Sequence, residues 1–117
     1  RVQTLNISWC DNITDVSMLG GVHTLDISYC DWITDVRALG HVHKLNMSHC
    51  PGITDIGALG RVQTLNISRC NNIIDVSAIA HVLSLNMSYC NGITDIRALR
   101  HVRNLNIHGC QNITRRW

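Results

Sequence analysis

Apolar side chains recur along this chain with a strict period of 20 residues, and polar side chains fill the same intervening positions in each copy. Four apolar columns define the period: Val2, Val22, Val42, Val62, Val82 and Val102; Leu5, Leu25, Leu45, Leu65, Leu85 and Leu105; Cys10, Cys30, Cys50, Cys70, Cys90 and Cys110; Ile13, Ile33, Ile53, Ile73, Ile93 and Ile113. A repeat without insertions is typical of a solenoid, in which each copy forms one coil and stacks on the next. We therefore predict a single domain, residues 1–117, of repeats 1–20, 21–40, 41–60, 61–80, 81–100 and 101–117.

The second repeat shows which elements the pattern predicts. Over residues 23–28, Leu25 and Ile27 alternate with polar residues, which indicates a short strand with one buried face. Cys30 and Ile33 follow at a spacing of three, so we expect them to point inward where the chain turns away from the strand.

The second half of the repeat predicts one helical or 3₁₀ turn. Asp35 stands before residues 36–39 as a side-chain cap, and Gly40 follows them as a helix stop. One such coil buries too little apolar surface to fold alone, so we expect the strands of successive coils to pair in one parallel sheet.

A longer motif gives these repeats a family resemblance. The segment Val-x-x-Leu-x-Ile-x-x-Cys-x-x-Ile-Thr-Asp occurs in repeats one and two, and in repeats three and five with Met in place of the first Ile. It resembles the cysteine-containing type of leucine-rich repeat found in F-box substrate receptors. The unit here is shorter than in that family and is closer in length to the repeats of internalin-like proteins, which use Asn where this chain has Cys.

The resemblance implies the fold class and a general role. It implies an α/β solenoid rich in β structure, with a parallel β-sheet on the concave face and short helical or 3₁₀ turns on the convex face. It also implies a non-catalytic protein-protein interaction scaffold. The alternative is a structural or self-assembling repeat solenoid, natural or engineered, without a dedicated partner.

Two nearly uniform polar columns occupy the outward face of the predicted strands. One column is Asn6, Asp26, Asn46, Asn66, Asn86 and Asn106, and the other is Ser8, Ser28, Ser48, Ser68, Ser88 and His108. A binding surface usually varies its side chains to fit a partner. The uniformity therefore predicts ladders of side chains that bond to one another, with a repetitive ligand as the alternative.

The variable positions lie at the edges of the predicted sheet and supply the candidate binding residues. The candidates for protein binding are Trp9, Tyr29, Trp32, His49, Arg69 and Tyr89. Trp, Tyr and Arg are the residue types that most often anchor protein interfaces. We expect Trp9, Tyr29 and Trp32 to cluster with His49 beside them; the alternative is that these side chains only pack on neighbouring loops.

The cysteine column predicts six reduced, structural thiols. Successive thiols occupy the same position of each coil, so they should lie in parallel and not face each other, which disfavours disulfide bonds. Unpaired cysteines are typical of a reducing setting, and we therefore expect an intracellular protein.

The sequence offers no catalytic or cofactor site. Three histidines (His23, His41 and His43) could approach a divalent metal, but Gln and Arg share their positions and no carboxylate column lies beside them. Cys50 adjoins His49, yet it belongs to the inward column, where a thiol is inert. We predict no enzyme activity, no metal and no other cofactor.

Charge is distributed unevenly along the chain. Residues 1–60 carry three basic and six acidic side chains, whereas residues 61–117 carry seven arginines and two aspartates. An acidic front half and a basic back half favour weak head-to-tail self-association. The arginines of the back half occupy different positions of the repeat, so a nucleic-acid partner is disfavoured. No apolar run approaches the roughly 20 residues of a membrane-spanning helix.

Overall fold

The computed structural model describes residues 3–117. Arg1 and Val2, the latter the first residue of the predicted valine column, lie outside the described residues. One three-residue strand recurs in each repeat: β1 is Thr4–Asn6, β2 Thr24–Asp26, β3 Lys44–Asn46, β4 Thr64–Asn66, β5 Ser84–Asn86 and β6 Asn104–Asn106. The strands form one parallel sheet in chain order, which confirms the predicted architecture.

The register of the sheet follows directly from the period. Each residue pairs with the residue 20 positions further along, so Leu5 lies beside Leu25 and Leu25 beside Leu45. The stacked coils extend over 41 Å along the long axis and 24 by 19 Å across. None of the helices in the described part of the chain has the length and apolar character that crossing a bilayer requires.

Short 3₁₀ helices return the chain towards the next strand. They are η1 Ser17–Leu19, η2 Arg37–Leu39, η3 Ser77–Ile79 and η4 Arg97–Leu99. The predicted aspartate cap is present: the Asp35 Oδ1 atom accepts a hydrogen bond of 3.0 Å from the Arg37 backbone N–H, and Asp15, Asp55, Asp75 and Asp95 do the same two residues ahead. The cap thus lies one residue before the position that immediately precedes each helix.

Gly40, predicted as a helix stop, does not have the left-handed conformation typical of one. Gly20 and Gly40, which follow the first two 3₁₀ helices, have right-handed helical dihedral angles, with φ of −64° and −63°. A close approach favours glycine at these positions, because a Cβ atom on Gly40 would lie 2.6 Å from the carbonyl oxygen of Ala58 in the next coil. Glycine is not required in every repeat, since Ala80 and Arg100 hold the same position later in the chain.

The strands are shorter than predicted because their last residue already forms a turn. The Asn46 Oδ1 atom accepts a hydrogen bond of 3.0 Å from the backbone N–H of Ser48, and the same bond recurs from Asn6, Asp26, Asn66, Asn86 and Asn106. The predicted ladder of mutually bonded side chains is therefore wrong. The uniform Asn column makes a local turn in each coil, since an Asn or Asp side chain can bond to the backbone two residues on.

The core consists of the predicted apolar columns, closed between strands and turns. In the inner coils the Leu, Cys and Ile columns and the residues at positions 7, 16 and 19 are almost fully buried. Apart from the buried Val16, the equivalent residues of the first and last coils, such as Leu5 and Ile113, are only half-buried because one neighbouring coil covers them. Burial therefore depends on stacking.

The cysteine column contributes hydrogen bonds as well as packing. The Cys70 Sγ atom donates to the carbonyl oxygen of Met47 in the preceding coil at 3.0 Å, and Cys30, Cys50, Cys90 and Cys110 repeat this bond 23 residues back. No disulfide joins the six cysteines, all of which lie within residues 3–117. Burial raises the pKa of Cys50 to about 11 and that of Cys70 to about 12, which suppresses the reactive thiolate.

This bond predicts a position-dependent effect of replacing cysteine by valine. Cys70→Val keeps an apolar side chain of similar size but leaves the Met47 carbonyl without its thiol donor, so we expect a loss of about 1–2 kcal/mol in the free energy of unfolding. Cys10→Val is the matched control, because Cys10 is half-buried in the first described coil. Urea denaturation measures both variants. Equal losses at the two positions would show that the thiol bond contributes nothing.

Candidate functional site

The candidate residues at position 9 of each repeat share an unusual backbone conformation. Trp9, Tyr29, His49, Arg69 and Tyr89 have positive φ values of 65°, 60°, 57°, 58° and 57°, and Gly109 continues the series at 73°. A left-handed conformation suits glycine and costs other residues roughly 1–2 kcal/mol each. Five bulky side chains thus occupy positions where glycine would be the less strained choice.

Hydrogen bonds on both sides hold this conformation. The Asn turn fixes the residue before, and the backbone N–H of Tyr29 donates to the Ser48 carbonyl of the next coil at 3.0 Å. The equivalent bonds join Trp9 to Ser28 and His49 to Ser68. Each coil therefore orients its position-9 side chain in the same direction.

Because the directions match, the position-9 side chains stack on one another. The Trp9 and Tyr29 ring centroids lie 3.8 Å apart with 8° between the planes, and those of Tyr29 and His49 lie 4.1 Å apart with 12° between them. The Tyr29 hydroxyl and the His49 Nε2 atom are 3.3 Å apart. We call the position-9 residues Trp9, Tyr29, His49, Arg69 and Tyr89 the aromatic ladder, of which the first three rings form one stack.

The ladder continues into the last repeats with different chemistry. The Arg69 guanidinium carbon lies 4.2 Å above the centre of the Tyr89 ring, which is a cation–π contact. The Tyr89 ring then covers Gly109, where a Cβ atom would come within 2.5 Å of it, and meets the His108 ring edge-on at 5.4 Å. Gly109 therefore provides the room for the Tyr89 ring.

His49 is the most constrained residue of the ladder. Its Nδ1 atom is buried and has no hydrogen-bond partner among residues 3–117. Burial, and after it the positive charge of Arg69, lower the pKa of this imidazole. His49 therefore acts as a neutral, stacked ring within the ladder.

Of the expected cluster, the structure brings together Trp9, Tyr29 and His49 but not Trp32. Among the ring contacts of the described residues, Trp32 takes part in none, and its side chain is 64% exposed. Trp9 ends the ladder with 66% exposure, while Tyr29 and His49 are half-buried. The first three ladder rings thus pack on one another, while Trp9 at the end of the stack and Trp32 outside it are open to solvent.

The histidines at the opposite edge of the sheet are arranged differently from a metal site. His23 and His43 stack with centroids 4.5 Å apart and 20° between the planes, so their nitrogens do not converge on one point. Residues 3–117 contain no group of three His, Cys, Asp or Glu side chains able to hold a metal ion. Cys50 does not pair with His49, because its Sγ atom donates to the Ile27 carbonyl inside the core.

Three exposed apolar side chains were missed by the sequence reasoning. They are Met18, Ile74 and Leu83. Each departs from its column: Met18 stands where four repeats have Ala, Ile74 where five have Thr, and Leu83 where the others have Gln, His or Arg. The comparison of columns could have identified them.

The left-handed conformation predicts an inverted preference between alanine and glycine at Arg69. Arg69→Ala and Arg69→Gly both remove the contact with Tyr89, but only glycine adopts a φ of 58° without strain. We expect Arg69→Gly to be about 1 kcal/mol more stable than Arg69→Ala. Ala38→Gly, in a right-handed helical turn, serves as the control and should lose roughly 0.5–1 kcal/mol. Thermal or urea unfolding measures the three variants; a more stable Arg69→Ala would contradict the conformation.

Comparisons with known proteins agree with this geometry. The family described as Leucine Rich repeat matches residues 2–19, 41–60 and 78–96. No curated protein sequence matches the chain. Among solved structures, internalin C2 from Listeria monocytogenes aligns with 87% of this chain at 20% identity and a TM-score of 0.52. The functional domain of InlJ from Listeria monocytogenes, which includes a cysteine ladder, aligns with 89% at 18% identity and a TM-score of 0.51.

These likenesses concern the fold. The chain spans 57% of the length of the internalin C2 chain and 29% of the InlJ chain. The finer resemblance, to the repeats of F-box substrate receptors, stays a prediction. The matched repeats, the single parallel sheet and the short 3₁₀ turns together show that this chain folds as a leucine-rich-repeat solenoid, a fold that generally binds protein partners.

Proposed function

We propose that residues 1–117, as one domain of six repeats, form a non-catalytic scaffold that binds a protein partner at the edge carrying the aromatic ladder and Trp32. The observation that carries this proposal is the row of five bulky residues in left-handed conformations. Strained conformations persist where the surrounding structure over-determines them, and they cluster at functional positions.

Stacking within the ladder offsets part of the backbone strain but leaves part of the ladder's side-chain surface exposed. An aromatic pair contributes about 0.5–1.5 kcal/mol beyond its buried area, which is similar to the cost of one left-handed residue. Trp9 and Trp32 are both exposed, and tryptophan is among the residue types that most often dominate binding energy at interfaces. The rigid ladder therefore provides a preorganised support for a contact surface.

The test combines two measurements: capture of a partner from a cell extract, and photo-crosslinking of that partner to defined positions of the chain. Trp9→Ala/Trp32→Ala should abolish capture of any specific partner from a cell extract, while Met18→Ala, which removes a 91% exposed apolar side chain elsewhere, should leave it unchanged. A photo-crosslinking amino acid at position 32 should label the same partner, and one at position 18 should not. Unfolding midpoints confirm that the variants fold.

Two outcomes would overturn this proposal. One is capture of the same proteins by wild type and by the double tryptophan variant. The other is equal crosslinking from positions 18 and 32, because the captured proteins would then bind the surface without preference for the ladder edge.

The second candidate function is self-assembly, and the half-buried end coils favour it. Leu5, Ile7 and Cys10 in the first coil and Leu105 and Ile107 in the last are covered on one side only. A second copy of the polypeptide 1–117 would cover them by continuing the stack, and the acidic front and basic back halves would attract each other.

Sedimentation of the polypeptide 1–117 over a concentration series tests this alternative. Self-assembly predicts a mass that rises with concentration and more steeply at low ionic strength, since the halves carry opposite charge. A monomer throughout the series would exclude it and leave the scaffold proposal untouched.

We also infer an intracellular location, on the ground of the unpaired thiols. All six cysteines are free, and only Cys10 and Cys110 are half-buried instead of buried. In an oxidising compartment these two thiols would be open to oxidation, from which burial protects the other four.

A further inference from the structure

Charge in this molecule is sorted by position within the repeat, which is distinct from its uneven distribution along the chain. Each of the eight aspartates lies at position 6, 11 or 15 of its repeat. Positions 1, 3, 4 and 20 carry no acidic side chain in any repeat. Because the coils stack in register, one position of the repeat is one line along the solenoid, and the sorting in sequence becomes a separation of charge in space.

Positions 1, 3, 4 and 20 form a basic edge where each coil re-enters the sheet. We call the residues at these positions the basic rim; its permanent cations are Lys44, Arg61, Arg100 and Arg103. Five of the seven histidines occupy the same positions, and all of these side chains are exposed except the half-buried His43. Arg1 occupies position 1 as well but lies outside the described residues.

Neighbouring coils bring these side chains together. Arg37, His41 and Arg61 line one groove together with the small residues Ala38, Gly40 and Gly60. Further along, Arg103 borders a shallow depression with Ser84 and Asn106 at the edge of the sheet.

The cations of the basic rim have no carboxylate partner within the described chain. The two ion pairs of residues 3–117 are Arg37 with Asp35, at 2.8 Å, and Arg97 with Asp95, at 2.9 Å. Arg69, the one arginine of the aromatic ladder, lies on Tyr89. Lys44, Arg61, Arg100 and Arg103 therefore present their charge to solvent within one band of the repeat, positions 20 to 4, with one of these cations in each of repeats three to six.

We propose that the basic rim binds an acidic polypeptide segment in extended conformation. An extended chain rises about 3.3 Å per residue, so about 12 residues match the 41 Å length of the solenoid. Positions 1, 3, 4 and 20 contain no Trp or Tyr in any repeat. Single-stranded nucleic acids are bound largely by stacking on aromatic side chains, so the rim suits carboxylates and not bases. This surface is separate from the aromatic ladder, and the inference is independent of the scaffold proposal.

The test uses a fluorescent oligoglutamate of about 12 residues and measures its anisotropy on titration with the full chain. The rim variant is Arg61→Gln/Arg100→Gln/Arg103→Gln, and the control is Arg69→Gln/Arg115→Gln/Arg116→Gln, which removes the same charge outside the rim. We expect the rim variant to lose at least about tenfold in affinity and the control less than about threefold. We also expect binding to weaken as salt rises to about 0.15 M.

Each other outcome overturns the proposal. Equal losses in the two triple variants would show attraction by net charge alone. Absence of oligoglutamate binding at low salt would exclude the rim as a site for acidic peptides. Tighter, rim-dependent binding of a single-stranded oligonucleotide of equal charge would assign the surface to nucleic acid. Trp9→Ala/Trp32→Ala should bind oligoglutamate like wild type, which separates this result from the fate of the scaffold proposal.

Discussion

Hydrogen bonding from one coil to the next is the constraint on which the structure depends. A coil contains only three strand residues, and its backbone groups on either side of the strand are satisfied by the neighbouring coils, as in the bonds from Ile27 to Asn46 and from Tyr29 to Ser48. The thiol of Cys50 adds a further bond to the carbonyl of Ile27. These bonds form only when every coil has the same length, which explains a period without insertions.

The same constraint explains why so many columns are uniform. Asn at position 6, Asp at position 15 and Cys at position 10 each bond to backbone groups that recur in every coil. A substitution there affects the path of the chain, so the uniformity of these columns is a consequence of the fold and does not indicate a ligand. Variation is informative where the side chain makes no bond to the backbone, at position 9 and at positions 1 and 3.

The sequence was sufficient for the solenoid, the parallel register, the aspartate caps and the buried thiols, because period and polarity determine them. It was insufficient for the aromatic ladder. Trp, Tyr and Arg give no indication of a left-handed conformation, and only Gly109 in the last repeat hints at it. Gly40 was misread as a helix stop. At Gly40 and at Gly60 the backbone approaches the next coil closely, a feature that the sequence of a single repeat does not show.

The placement of the two proposed surfaces follows from the short strands. A three-residue strand spans about 10 Å, so the two edges of the sheet lie close together but face different ways. Between them the Oδ1 atoms of the Asn side chains accept bonds from their own coil, and Ser28, Ser48 and Ser68 are buried, so the sheet face repeats nearly the same chemistry from coil to coil. The edges differ from coil to coil. Binding is therefore expected at the edges, where one side offers stacked rings and the other uncompensated positive charge.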